Sequence, residues 1–147
     1  MVLCCSKYII VKFYLSIITY RFLKKTKYPR LKVVKNWARE ILQGLKYLHE
    51  FNPPIIHRDI KCDNIFINCN DGVIKIGDLG LSCLLNNDEQ AHTFSGTPEF
   101  MAPEIFKGDY GVKADIYSFG LCVLEMITFE KPYKECSNLM DVFEKVI

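Results

Sequence analysis

The chain reads as an α+β domain, mostly helical, built around one short β-hairpin. Three patterns predict it. An apolar stripe recurs at spacings of three and four from Val34 to Leu48. Two short β-branched runs flank an Asn70-Asp71-Gly72 turn. A dense apolar segment, Asp115 to Thr128, is long enough for a helix and too short for a bilayer.

The elements follow in chain order. Tyr8 to Leu23 is apolar, but Lys12 and Arg21 interrupt it, so the uninterrupted runs are too short to span a membrane. No small-residue cleavage site follows it, which makes it a poor signal peptide. Ile9, Ile10, Val11, Phe13 and Tyr14 are β-branched or aromatic and predict a buried strand. Val34, Trp37, Ala38, Ile41, Leu45 and Leu48 then form one face of an amphipathic helix of about 15 residues. Arg39, Glu40, Gln43 and Lys46 fill its polar face, and Pro53-Pro54 stops it. Asn64 to Asn68 and Val73 to Ile76 are the two arms of the hairpin. Asp115 to Thr128 is apolar on nearly every face, which predicts a buried helix with Asp115 at its start as an N-cap. Leu139, Val142, Phe143 and Val146 begin another helical pattern between Asn138 and Ile147.

The chain has 147 residues, enough for one domain, and half of them are hydrophobic. A net charge of +2 gives no case for nucleic acid or an anionic membrane surface as a partner. Seven cysteines are scattered without a C-x-x-C pair, and the three histidines lack zinc-ligand spacing. Reduced thiols in an intracellular, cytoplasmic protein are the expectation. There is no internal repeat and no low-complexity linker.

The chemistry concentrates in His57-Arg58-Asp59-Ile60-Lys61-Cys62-Asp63-Asn64. A carboxylate, an ammonium and an amide stand within six residues. Phosphoryl transfer from ATP uses that set: an acid orients the attacking hydroxyl, a cation offsets the γ-phosphate charge, and an amide oxygen holds magnesium. Two further motifs follow in the expected order, Gly77-Asp78-Leu79-Gly80 and Gly96-Thr97-Pro98-Glu99-Phe100-Met101-Ala102-Pro103-Glu104. The hairpin between Asn64 and Asp78 returns the chain, so that the two hard oxygen ligands can face one magnesium site.

These motifs resemble the eukaryotic protein kinases, and Lys61 two residues after Asp59 is similar to their serine/threonine-specific branch. The leucine at position 79, Pro53-Pro54-Ile55-Ile56-His57, Lys61-Cys62-Asp63-Asn64-Ile65-Phe66 and Pro132-Tyr133-x-Glu135-Cys136 narrow the likeness to the WNK ("with no lysine") kinases. Asp115-Ile116-Tyr117-Ser118-Phe119-Gly120 resembles the plant members. The resemblance implies a protein-kinase-like fold, mostly the helical C-terminal lobe over 20–147, with a remnant N-lobe strand region over 1–19.

It also implies roles. Asp59 and Lys61 would be catalytic. Lys61, Asn64 and Asp78 would bind the cofactors ATP and Mg2+, with Asn64 and Asp78 as the metal ligands. Arg58, Thr93 and Ser95 would be regulatory, a phosphate on Thr93 or Ser95 pairing with Arg58. Thr97 would bond Asp59 and Lys61 and shape the substrate groove. Asp115 would brace the catalytic loop. His57 reads as a satisfied core histidine, and the backbone from Leu79 to Leu81 as a chloride site. The partners implied are protein substrates with serine or threonine hydroxyls.

No glycine-rich phosphate loop, ATP-anchoring lysine or hinge is recognisable, so the sequence reads as a truncated, internally deleted kinase. A catalytically inactive fragment acting as a binding or regulatory module is therefore the alternative to an enzyme. A small-molecule phosphotransferase is a third reading, which the peptide-binding segment Gly96 to Glu104 argues against. The face near Leu79 and Phe66 is expected to be bare and apolar.

Overall fold

A computed structural model of the chain describes residues 9–10, 16–18, 30–68, 71–85 and 95–147, the first two stretches by backbone alone. The amphipathic stripe becomes α1, Leu31–His49, and buries Val34, Trp37, Ile41, Gly44, Leu45 and Leu48. Its end comes before the two prolines, where the Glu50 N–H closes on the Lys46 carbonyl at 2.9 Å. Glu40, expected on the solvent face, instead reaches across to accept from the Ile74 N–H at 2.6 Å. That bond ties the helix to the sheet.

Two strand pairs flank the loop from His57 to Asn64. The hairpin consists of β4, Ile65–Asn68, and β5, Ile74–Gly77, paired antiparallel with Ile65 opposite Ile76 and Ile67 opposite Ile74. Asp71 Oδ1 accepts from the Val73 N–H at 3.0 Å, and Gly72 takes a positive φ of 73°, as an Asx-Gly turn requires. The second pair is β3, Ile55–Ile56, against β6, Cys83–Leu84. The hairpin sheet continues outward through two N-terminal strands, β1, Ile9–Ile10, and β2, Ser16–Ile18, in the order β1-β5-β4-β2. The β1 strand runs parallel to β5, and β2 antiparallel to β4. Of the strand expected over Ile9 to Tyr14, positions 11–14 lie outside the described residues.

After the loop that carries Gly96 come a single helical turn, α2, Pro103–Phe106, then α3, Lys113–Thr128, and α4, Leu139–Val146. The main core lies between α1, the hairpin and α3, with Trp37, Ile41 and Leu45 against Ile65, Ile74, Ile76 and Met126. Each such side chain contributes roughly 1.5–3 kcal/mol on burial. Among the described residues, no helix is long and apolar enough to cross a membrane.

Three expectations need correction. The α3 helix is not buried all round, because Ile116, Leu124 and Ile127 are exposed while its polar residues Asp115, Ser118 and Glu125 face inward. The cause is backbone demand: Ser118 Oγ donates to the Phe100 carbonyl at 2.6 Å, and Asp115 accepts from the His57 N–H. Asp115 lies within the first helical turn and is not the cap, which is Val112. Leu79 and Phe66 are both half-buried where a bare face was expected, and Leu79 packs against the cluster of Leu48 and Ile55.

Candidate active site

The site is assembled by one carboxylate. Asp115, 1% exposed, accepts from the His57 N–H at 2.9 Å and from the Arg58 N–H at 3.0 Å. A third bond joins it to His49 Nε2 at 2.8 Å, at the end of α1. A buried carboxylate is tolerable only when its oxygens are met, and here three donors meet them. The bond pair holds Arg58 in a left-handed backbone conformation, φ 68°. Such a conformation costs a non-glycine residue about 1–3 kcal/mol and persists only where its surroundings impose it. No sequence pattern marked His49, which reads as the last polar residue of an ordinary helix.

His57 is fully buried and has a defined proton position. Its Nδ1 accepts from the Asp59 N–H at 3.3 Å, which leaves Nε2 to donate to the Gly77 carbonyl at 3.0 Å. Burial pushes its pKa below the ordinary 6.5, against the pull of the nearby carboxylates Asp115, Asp59 and Asp78. The ring is therefore a neutral strut between the His57–Asp59 loop and the end of β5.

Four side chains form a closed network. Lys61 Nζ sits 2.9 Å from Asp59 Oδ2 and donates to Thr97 Oγ1 at 2.6 Å. The Thr97 hydroxyl donates in turn to Asp59 Oδ1 at 2.7 Å. Both N–H groups of the Asn64 amide point at Asp59, to its main-chain carbonyl at 2.8 Å and to Oδ2 at 2.7 Å. Burial pushes the Asp59 carboxyl up, but the bonds from Thr97, Lys61 and Asn64 and the Lys61 charge together hold it below the ordinary 3.8. Asp59 is therefore an ionised acceptor with its oxygens fixed in place.

Asp78 follows Gly77 in a left-handed conformation, φ 60°, and its exposed carboxylate accepts from the Gly80 N–H at 3.2 Å. The Asn64 amide donates both hydrogens to Asp59, so its carbonyl oxygen is the atom left for a cation. One amide oxygen and one carboxylate are fewer ligands than a self-sufficient protein cage provides. Among the described residues, no cluster of three or more histidine, cysteine, aspartate or glutamate side chains could hold a metal. The donor set fits a magnesium that completes its shell with phosphate oxygens. In the Leu79–Leu81 turn the Gly80 N–H faces Asp78 Oδ1.

The regulatory candidates divide. Arg58 Nε donates to the Leu81 carbonyl, fastening its loop to the turn after Asp78. Ser95 is half-buried, while Thr93 lies outside the described residues. Between Ser95 and Thr97, Gly96 has φ 125°, and a Cβ there would stand 2.3 Å from the Arg58 carbonyl oxygen. Only glycine permits this approach, which sets Thr97 against Asp59. Sequence reasoning also missed Glu125, 2% exposed on α3, whose Oε2 has no hydrogen-bond partner among the described residues. Burial raises its pKa, the Cys62 thiol opposes that, and Asp63 adds to it.

The family described as protein kinase domain matches residues 6–146. Three Arabidopsis thaliana proteins are similar to the chain. "Probable serine/threonine-protein kinase WNK4" is 54% identical over 125 residues, which is 84% of this chain and 22% of that protein. "Serine/threonine-protein kinase WNK8" is 56% identical over 123 residues, 84% of this chain and 22% of that protein. "Probable serine/threonine-protein kinase WNK10" is 53% identical over 131 residues, 89% of this chain and 24% of that protein. The chain thus spans less than a quarter of the length of the curated relatives it matches.

Proposed function

The chain belongs to the protein kinase family, as a plant WNK-type member, and from that premise we propose that it carries the phosphoryl-transfer centre of a serine/threonine protein kinase. The closed network of Asp59, Lys61, Thr97 and Asn64 is the observation that supports this reading. Asp59 orients the serine or threonine hydroxyl of a protein substrate and accepts its proton. Lys61, one bond from Asp59, offsets charge on the transferred phosphoryl group. Thr97 holds both in register and borders the substrate groove. Asn64 and Asp78 would hold magnesium. Magnesium bound with ATP neutralises phosphate charge and aligns the triphosphate. Arg58, with Thr93 or Ser95 phosphorylated, would set the order of the loop between Asp78 and Glu104.

The test is transfer of labelled phosphate from ATP to a serine/threonine protein substrate by the longest protein that contains this chain. Asp59→Asn is expected to lower the rate by about 10²–10⁴ while leaving the fold intact by circular dichroism. Full activity in that variant would overturn the assignment of Asp59. No transfer by the parent protein would leave the chain as a non-catalytic, partner-binding module.

A further inference from the structure

The outward face of α1 carries a run of positive charge that the net charge of +2 averages away. From Arg21 to Arg39 the sequence holds eight lysines and arginines and no aspartate or glutamate. The structure describes the last four of them. Arg30, Lys32, Lys35 and Arg39 are all exposed. At about 3.6 residues per turn, Lys32, Lys35 and Arg39 fall on one line, opposite the buried Val34, Trp37 and Ile41. Lys46 prolongs that line but pairs with Glu50 at 3.5 Å.

The fold does not neutralise these charges. Among the described residues, no carboxylate forms an ion pair with any of the four. Glu40 is the one acid within α1, and its bond from the Ile74 N–H turns it toward the sheet. Arg39 bonds the neutral side chain of Asn36 at 2.9 Å. The placement also works against the helix itself. Its first turn holds no acid, and Arg30 and Lys32 stand at the end where the macrodipole favours negative charge. Helix stability thus gives no reason for cations there, whereas an anionic partner does.

Shape and the neighbouring side chains select the partner. The line from Lys32 to Arg39 runs about 10 Å along the outside of a helix. Leu31, 59% exposed, and Leu42, 41% exposed, fall together on one flank of it. Lysines supply point charges, which suit a diffuse anionic field better than forked recognition of a single phosphate. Exposed leucines add nothing to the binding of a nucleic acid. A bilayer surface takes cations at the level of its headgroups and apolar side chains just beneath them. We propose that the outward face of α1 docks on an anionic phospholipid surface, with Lys32, Lys35 and Arg39 against the headgroups and Leu31 and Leu42 dipping between them. This docking requires neither ATP nor the Asp59 network.

Flotation of the whole chain with lipid vesicles tests it, because bound protein rises with the lipid and aggregated protein sinks. Vesicles of phosphatidylcholine alone are compared with vesicles of which about one third is phosphatidylserine. The chain is expected to float with the anionic vesicles and not with the neutral ones. Lys32→Gln and Lys35→Gln should each lower the partition coefficient about fivefold. Should these variants misfold, Asn36→Glu decides alone. It sets a carboxylate at an exposed position between Lys32 and Arg39, spacings at which opposite charges support a helix. Its melting temperature should hold or rise while vesicle binding falls about fivefold, a combination that a merely structural role for the cations would not produce. Equal flotation with both kinds of vesicle, or anionic binding that Asn36→Glu leaves untouched, overturns the proposal. So does a chain that stays off the vesicles yet is retained by immobilised polyglutamate or single-stranded RNA.

Discussion

Thr97 joins the two ends of an ion pair that would otherwise share a single contact. Its hydroxyl accepts from Lys61 and donates to Asp59, so replacing it with valine keeps the shape and removes both bonds. Hydrogen bonds to charged groups contribute about 1.5–3 kcal/mol, and Thr97→Val is expected to lose an amount of that order near neutral pH. The pH dependence follows from the direction of the Asp59 shift. Its folded pKa lies below the unfolded one, so ionised Asp59 stabilises the fold above the ordinary carboxylate range. That contribution is lost as pH falls through the folded value. The variant's deficit should therefore be full at about pH 7 and shrink toward about pH 3. Thermal unfolding of both proteins across that range measures it. A deficit independent of pH would show that the hydroxyl does not act through the Asp59 charge.

Three separate elements meet at Asp115, and its removal should loosen all of them together. Asp115→Ala leaves two loop N–H groups and the half-buried His49 without their acceptor. Breaking a buried charged contact of this kind costs about 3–5 kcal/mol, measurable by urea unfolding. Amide exchange at His57 and Arg58 should accelerate more than exchange in the middle of α1. Equal protection in the variant would show that the loop is held by something else. At this scale the limits of sequence reading are physical. The apolar stripe of α1 and the β-branched hairpin were legible because each is a local period with one buried face. The inward polar face of α3 was not, because Asp115 and Ser118 answer to backbone groups 57 and 18 residues away, and no local period records such partners. Glu40 was misplaced on the solvent face for the same reason, its acceptor role being set by Ile74. The motif residues Asp59, Lys61, Asn64 and Thr97 were legible by type and order, and the structure brings them into one network. The bond from His49 to Asp115 left no trace in the spacing.

For the chain as a whole, the balance of charge around that network decides whether a nucleotide can stay. Lys61 is already engaged by Asp59 and Thr97, while the Asp78 carboxylate is exposed. Counting Asp59, Asp78 and Lys61, the proposed site carries a net negative charge, and a magnesium-bound triphosphate is itself anionic. Micromolar affinity requires about 8 kcal/mol of net binding free energy. In kinases much of it comes from a phosphate-covering loop and an anchoring lysine, and neither is recognisable in this sequence. Magnesium reduces the repulsion without covering the phosphates. These 147 residues alone are therefore expected to give no measurable Mg-ATP binding by calorimetry, whereas a longer protein containing them should bind. A micromolar dissociation constant for the isolated chain would mean that cationic or N–H groups of its own close over the triphosphate. Lys61 would then have to leave Asp59 on binding, and Lys61→Met should abolish the heat.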